Sequence, residues 1–238
     1  MAVELDVGHP LLLPPGGGEV VGGSQEDRRV ELLSDGDQLH TTWTRFRPDR
    51  LGAELHVHRG HTDLFYVLGG ELTLMLGADG DEIVVGPGTL VLAPPLVVHG
   101  FRNASDTELC YLNFHAPGGG FAAFMRGLTP GFDSEGPPAD GGRPVEDAVI
   151  ADGGGLLVDT DAIRIEEVQR DSGSNASTGD EERPTESFYV LAGELVFSID
   201  DNESRAGIGA WVQLPAGIAY TLTGAGRYLA IRAPGRPT

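Results

Sequence analysis

The feature that most constrains the fold of this chain is that it contains itself twice. Asp63 opens the string DLFYVLGGELTL and Glu186 opens ESFYVLAGELVF, with FYVL and GEL in the same register. Each copy continues into a short polar turn (ADGDE, DDNES) and then a Gly-led strand, GTLVLAPP from Gly88 and GAWVQLPAG from Gly209. Each closes on a strand ending in Ala-Pro-Gly, NFHAPG at 113–118 and AIRAPG at 230–235. Four matches in the same order define a repeat unit of roughly a hundred residues, so the chain folds as two related units.

The unit is made of short strands. TTWTRF, AELHVH, LFYVL, ELTLML, EIVVG, TLVLAP, VHGF and ELCYLNF follow one another at the spacing of an all-β barrel or sandwich. The one helical pattern is GGGFAAFMRGL, with Phe121, Phe124, Met125 and Leu128 on one face. A stretch rich in Pro, Gly and acidic residues follows it and reads as a boundary. The expected organisation is a first barrel with an N-terminal arm over 1–128, a linker over 129–150 and a second barrel over 151–238.

Composition restricts the partners. The net charge is −20, with 36 acidic side chains against 16 basic, every one of them Arg. Such a surface repels phosphate backbones and anionic headgroups, so nucleic acid and membrane surfaces are not expected partners. Cys110 is the only cysteine, which excludes an intramolecular disulfide. MAVELDVGHPLLLPP carries no basic leader pattern and no apolar run of membrane length, so a cytoplasmic location is expected.

All seven histidines, His9, His40, His56, His58, His61, His99 and His115, precede residue 116, and the second copy has none. His56 and His58 are two apart in a strand, which puts both imidazoles on one face. Asp63 follows at the start of the next strand, and His99 lies in VVHGF. Neutral imidazoles with a carboxylate suit one borderline divalent ion, Fe, Mn, Ni or Zn.

The stretch from Gly52 to Asn103 resembles the two-part signature of the cupin superfamily. The first part is carried by Gly52, His56, His58, Asp63 and Gly70, with three residues instead of five between Gly52 and His56 and Asp in place of Glu. The second is carried by Gly88, Pro94, His99 and Asn103, with Leu96 in place of an internal glycine. The resemblance covers both repeats and implies a bicupin: two tandem double-stranded β-helix, or jelly-roll, barrels with a short helical connection. It implies that His56, His58, Asp63 and His99 are metal ligands. Because Asp is one methylene shorter than Glu, the fourth position is open to Asp63, acting directly or through water, or to His61. In the second copy the aligned positions are Glu186 and Tyr220, and a metal-free barrel is expected.

The plainer readings are structural. His115, whose counterpart in the repeat is Arg232, reads as a packing residue. His9 and His40 read as exposed or loop residues, Cys110 as a buried inert thiol, and the acidic run GDEERPTE as a solvated loop. The FYVL–GEL strand resembles small quercetin-dioxygenase-like cupins, which implies oxygenation of a small chelating enol, diol or phenolic compound. A redox-silent isomerase or cyclase and a non-catalytic metabolite-binding protein are the alternatives. The expected partners are a small-molecule ligand and, by resemblance, a second copy in a homodimer.

Overall fold

A computed structural model describes residues 9–172, 176–178 and 184–235, with backbone alone at 23–25 and 176–178. Gly179 to Arg183 of the acidic run lie outside the described residues, as do most positions aligned with His56 and His58. In chain order the strands are β1 (Leu11–Leu13), β2 (Glu19–Gln25), β3 (Arg28–Asp35), β4 (His40–Phe46), β5 (Arg50–His56), β6 (Thr62–Gly69) and β7 (Leu72–Leu76). β8 (Asp81–Val85), β9 (Leu90–Ala93), β10 (His99–Asn103) and β11 (Leu109–Ala116) precede α1 (Phe121–Met125) and β12 (Val149–Ala151). The remainder is β13 (Gly155–Asp159), β14 (Arg164–Arg170), β15 (Ala176–Thr178), β16 (Thr185–Ile199), β17 (Asn202–Gly207), β18 (Trp211–Leu214) and β19 (Tyr220–Ala233). The fold is all-β, and no helix among the described residues is long and apolar enough to cross a membrane.

The repeat in the sequence is a repeat of strand ladders. In the unit spanning 20–153, β6 lies between β9 and β11, β11 pairs β4, and β4 pairs β3. In the unit made of 1–19 and 154–238, β16 lies between β18 and β19, β19 pairs β14, and β14 pairs β13. The long β16 does the work of β6 and β7 together: its first half pairs β18 and its second half pairs β17. Gly70 and Gly193 hold equivalent places at φ 76° and 77°. A Cβ on either would lie 2.2 Å from a backbone oxygen, that of Glu108 or Ala225, so only glycine fits.

The units are drawn differently from the expected boundaries. The arm strand β1 pairs β18 and belongs with the second barrel, not the first. The segment read as a linker is part of the first barrel: β12 pairs β9, and Glu135 exchanges two backbone hydrogen bonds with Val57. Acid- and Gly-rich composition describes the surface of this segment and is silent about its backbone pairing. The helix is a short turn of five residues, with Leu128 beyond it and exposed.

In the first barrel a four-stranded sheet, β5-β10-β7-β8, opposes the seven-stranded β12-β9-β6-β11-β4-β3-β2. Phe46, Phe65, Val67, Leu109 and Tyr111 from the larger sheet pack against Leu72, Leu74 and Val85 from the smaller. Alternation along each strand sends one side-chain set inward, and that inward set carries both the core and the candidate site.

Candidate metal centre

Three strand segments bring the histidines together. His56 closes β5 and stands directly opposite His99, the first residue of β10, in the antiparallel register. His58 lies two residues on, after the paired Val57. Asp63 enters from β6, opposite His115 of β11. Ligand atoms of His56, His58, Asp63 and His99 all lie within 4.8 Å of one another. His58, Asp63 and His99 are buried, and His56 is half-buried.

The hydrogen bonds fix which nitrogen faces inward. His56 Nδ1 donates to Glu54 O at 2.8 Å, His99 Nδ1 to Val97 O at 2.9 Å, and His58 Nδ1 to the carbonyl of Asp133. Each ring therefore presents an unprotonated Nε2 to the common point. The Nε2 atoms of His56 and His58 are 3.2 Å apart; Asp63 Oδ2 is 3.3 Å from His99 Nε2 and 3.5 Å from His58 Nε2. Donors about 2.1 Å from one ion and at right angles lie about 3 Å apart, so these spacings fit a single divalent cation. The donor set also fits, since two imidazole lone pairs in van der Waals contact repel unless a cation lies between them.

Asp63 reaches the cluster despite its shorter side chain. Asn113 Nδ2 donates to Oδ1, and His115 Nε2 lies 3.3 Å from the same oxygen, which leaves Oδ2 directed at the histidines. Burial would raise the Asp63 pKa, but His115, His58 and His99 hold it well below the usual carboxylate range. Burial also opposes charge on His58, yet Asp63 beside it raises its pKa overall. Burial, with His99 and His58, lowers that of His56 to about 4.

His61 is not in the cluster. Its Nδ1 donates to Asp133 Oδ2 at 2.9 Å, and its ring stacks on His58 with centroids 4.0 Å apart. Asp133 is the residue that sequence reasoning missed. Its carboxylate accepts from the backbone of Arg59 and Gly60 as well as from His61, while its carbonyl orients His58. It lies in the acidic segment taken for a linker, and nothing in its local sequence separates it from its neighbours.

Two other histidines depart from their sequence reading. His40 is buried on β4, 1% exposed, against the expectation of an exposed or loop position. His115 lines the same cavity as the cluster, although it reads as a packing residue in the sequence. Cys110 is half-buried, and burial raises its thiol pKa. Leu96 has φ 69°, the left-handed conformation that explains the glycine expected at that place. In the second barrel the carboxylate equivalent to Asp63 is engaged otherwise: Glu186 accepts from Tyr220 Oη at 2.7 Å and Arg232 Nε at 2.6 Å.

Beside the cluster lies a cavity of about 190 Å³. Phe46, Phe101, Phe121, Phe124 and Phe132 form much of its wall, with Thr42, Thr44 and Asn113 as polar points. Gly52 belongs to this wall because a Cβ there would lie 2.1 Å from the Phe101 ring.

This fold and donor set define a class, the metal-binding β-barrel with one three-histidine, one-carboxylate centre. Residues 42–115 match the family model described as Cupin domain. That match lies within the first barrel, and the chain as a whole has a bicupin-like fold. Its solved structural neighbours include the protein Ylba from E. coli, with TM-score 0.72, 16% identity, and 100% of this chain and 96% of that one covered. A bacterial pirin, YhhW from Escherichia coli, in complex with nickel(II), aligns with TM-score 0.65 at 12% identity over 95% and 100% of the two chains. Salicylate 1,2-dioxygenase from Pseudoaminobacter salicylatoxidans aligns with TM-score 0.64 at 14% identity over 94% and 81%. No curated protein matches the sequence.

Proposed function

We propose that this protein is a mononuclear metal-dependent cupin in which His56, His58 and His99 hold one divalent ion through Nε2 and Asp63 holds it through Oδ2. We propose further that it oxygenates a small chelating enol, diol or phenolic compound. The observation that carries the reading is the inward convergence of three carbonyl-anchored imidazoles on a buried carboxylate.

A redox-active ion supplies activation of a chelated substrate toward dioxygen when bound. The side chains of the chain do the rest. The phenylalanine wall excludes water and presents flat apolar surface to a ring or enol. Asn113 and His115 keep Asp63 in one rotamer, and Asp133 keeps His58 in one tautomer. The names of two neighbours, a salicylate 1,2-dioxygenase and a pirin with nickel(II), support the oxygenase chemistry and the metal respectively.

Anaerobic metal analysis followed by oxygen uptake over a panel of catechols, diketones and flavonols tests the reading. Oxygen uptake by the iron-loaded protein that is abolished in a folded His99→Ala variant supports it. Zinc at full occupancy and no uptake with any compound sinks the oxygenase reading and leaves a binding protein.

A further inference from the structure

The cavity beside the cluster contains one cation. Arg28 is the only Arg among its described lining residues. In the same unit Arg29, Arg45, Arg50, Arg59, Arg102 and Arg126 each lie within 4.0 Å of a carboxylate. Arg28 has no such partner among the described residues; its one hydrogen bond there is from Nη2 to Gly22 O at 3.3 Å. In a chain with 36 acidic side chains against 16 basic, an arginine left without a carboxylate inside an aromatic cavity is conspicuous. A half-buried guanidinium loses hydration there, and an anion in the cavity would restore what it loses.

Position adds to this. Arg28 pairs with Phe46 at one end of β4, while His40 at the other end pairs with His115, itself paired with Asp63. From the Phe46 end the Arg28 side chain, bonded to Gly22 O, lines the same cavity as His56, His58 and Asp63, along with the rings of Phe46, Phe101, Tyr111 and Phe121. A cavity of about 150 Å³ holds benzene. The 190 Å³ available thus suits one substituted ring or an enol of that size.

Resting on the metal-site reading above, we infer that the cavity binds a single-ring or similarly small molecule with a carboxylate at one end, paired to Arg28, and chelating oxygens at the other. The planar fork of arginine matches a carboxylate through two parallel hydrogen bonds. Arg28 is then a specificity-determining residue that selects acids over their neutral analogues.

Calorimetry on the zinc-loaded protein, where no turnover intervenes, tests this with 3,4-dihydroxybenzoate, catechol and benzoate on wild type and Arg28→Gln. Dihydroxybenzoate is expected to bind wild type at least about tenfold tighter than catechol. In Arg28→Gln that ratio falls to near one while catechol affinity is unchanged. Equal affinities on wild type, or a ratio that survives in Arg28→Gln, overturn the inference without touching the metal site. Zinc content, measured on the same sample, reports on the metal reading separately. Benzoate lacks chelating oxygens, so its binding, lost in Arg28→Gln, supports the arginine even if no metal is taken up, and its failure to bind metal-free protein and holoprotein alike counts against it.

Discussion

The Nε2 atoms of His56 and His58 face one another at 3.2 Å while both rings spend their Nδ1 hydrogens on backbone carbonyls. With both rings neutral, neither nitrogen has a hydrogen to offer the other. Their closeness is favourable only around a cation, so folding of this barrel prepares a site whose repulsion the ion removes.

Removing the ion is therefore expected to destabilise the protein. Ligand linkage gives about 4 kcal/mol when free metal exceeds its dissociation constant a thousandfold. A chelator should lower the thermal midpoint of wild type and leave that of a folded His99→Ala variant unchanged. Equal shifts in both would place the stabilising ion elsewhere.

Asp133 is predicted to control metal affinity without touching the ion. In Asp133→Ala the backbone carbonyl remains, but the 59–61 turn loses three carboxylate hydrogen bonds and with them the fixed approach of His58. Losing such support typically weakens metal binding by about 10- to 100-fold. Competition with a chromophoric chelator measures this; unchanged affinity would reduce Asp133 to a loop residue.

Acid should destabilise the metal-free protein well above the carboxylate range. Burial is the first cause that lowers the pKa of His40, His56 and His61, with His56 at about 4 and His61 at about 3. The unfolded chain takes up these protons near 6.5. Their contribution is thus fully present above pH 6.5 and is lost as pH falls toward 4. His58, whose pKa is raised, acts oppositely: its contribution is present below 6.5 and lost as pH rises through its folded value. Three against one leaves a net loss. Urea midpoints from pH 7.5 to 5 should fall, and a flat or rising series would contradict the assignment.

Leu96 holds a left-handed backbone while its N–H donates to His58 O and its carbonyl accepts from Arg143 N, both at 2.8 Å. Non-glycine residues in this conformation cost about 1 kcal/mol. Leu96→Gly is expected to stabilise the protein by about 0.5–1 kcal/mol, since the leucine side chain is partly exposed. Loss of stability in denaturant titration would show that its packing outweighs the strain.

Much of this was legible before the structure. The FYVL–GEL repeat carried the two-barrel architecture because strand ladders impose one pattern on each copy. His56, His58 and His99 were legible because strand alternation and motif spacing both constrain them. The choice between Asp63 and His61 was not, because it depends on Asn113 and His115 from β11 and on Asp133 from beyond the helix. Arg28 gave no signal either, since a lone arginine in a strand looks like any surface cation until its neighbours are known. The segment around Asp133 misled for a physical reason: polar, Gly-rich composition reports exposure, and an exposed strap can still hold two buried histidines.

The most direct test of the account is anomalous diffraction from crystals of the protein loaded with one equivalent of metal. A single strong peak bounded by His56 Nε2, His58 Nε2, His99 Nε2 and Asp63 Oδ2 is predicted. A peak between His61 and His115, or none in the first barrel at full metal content, would contradict it.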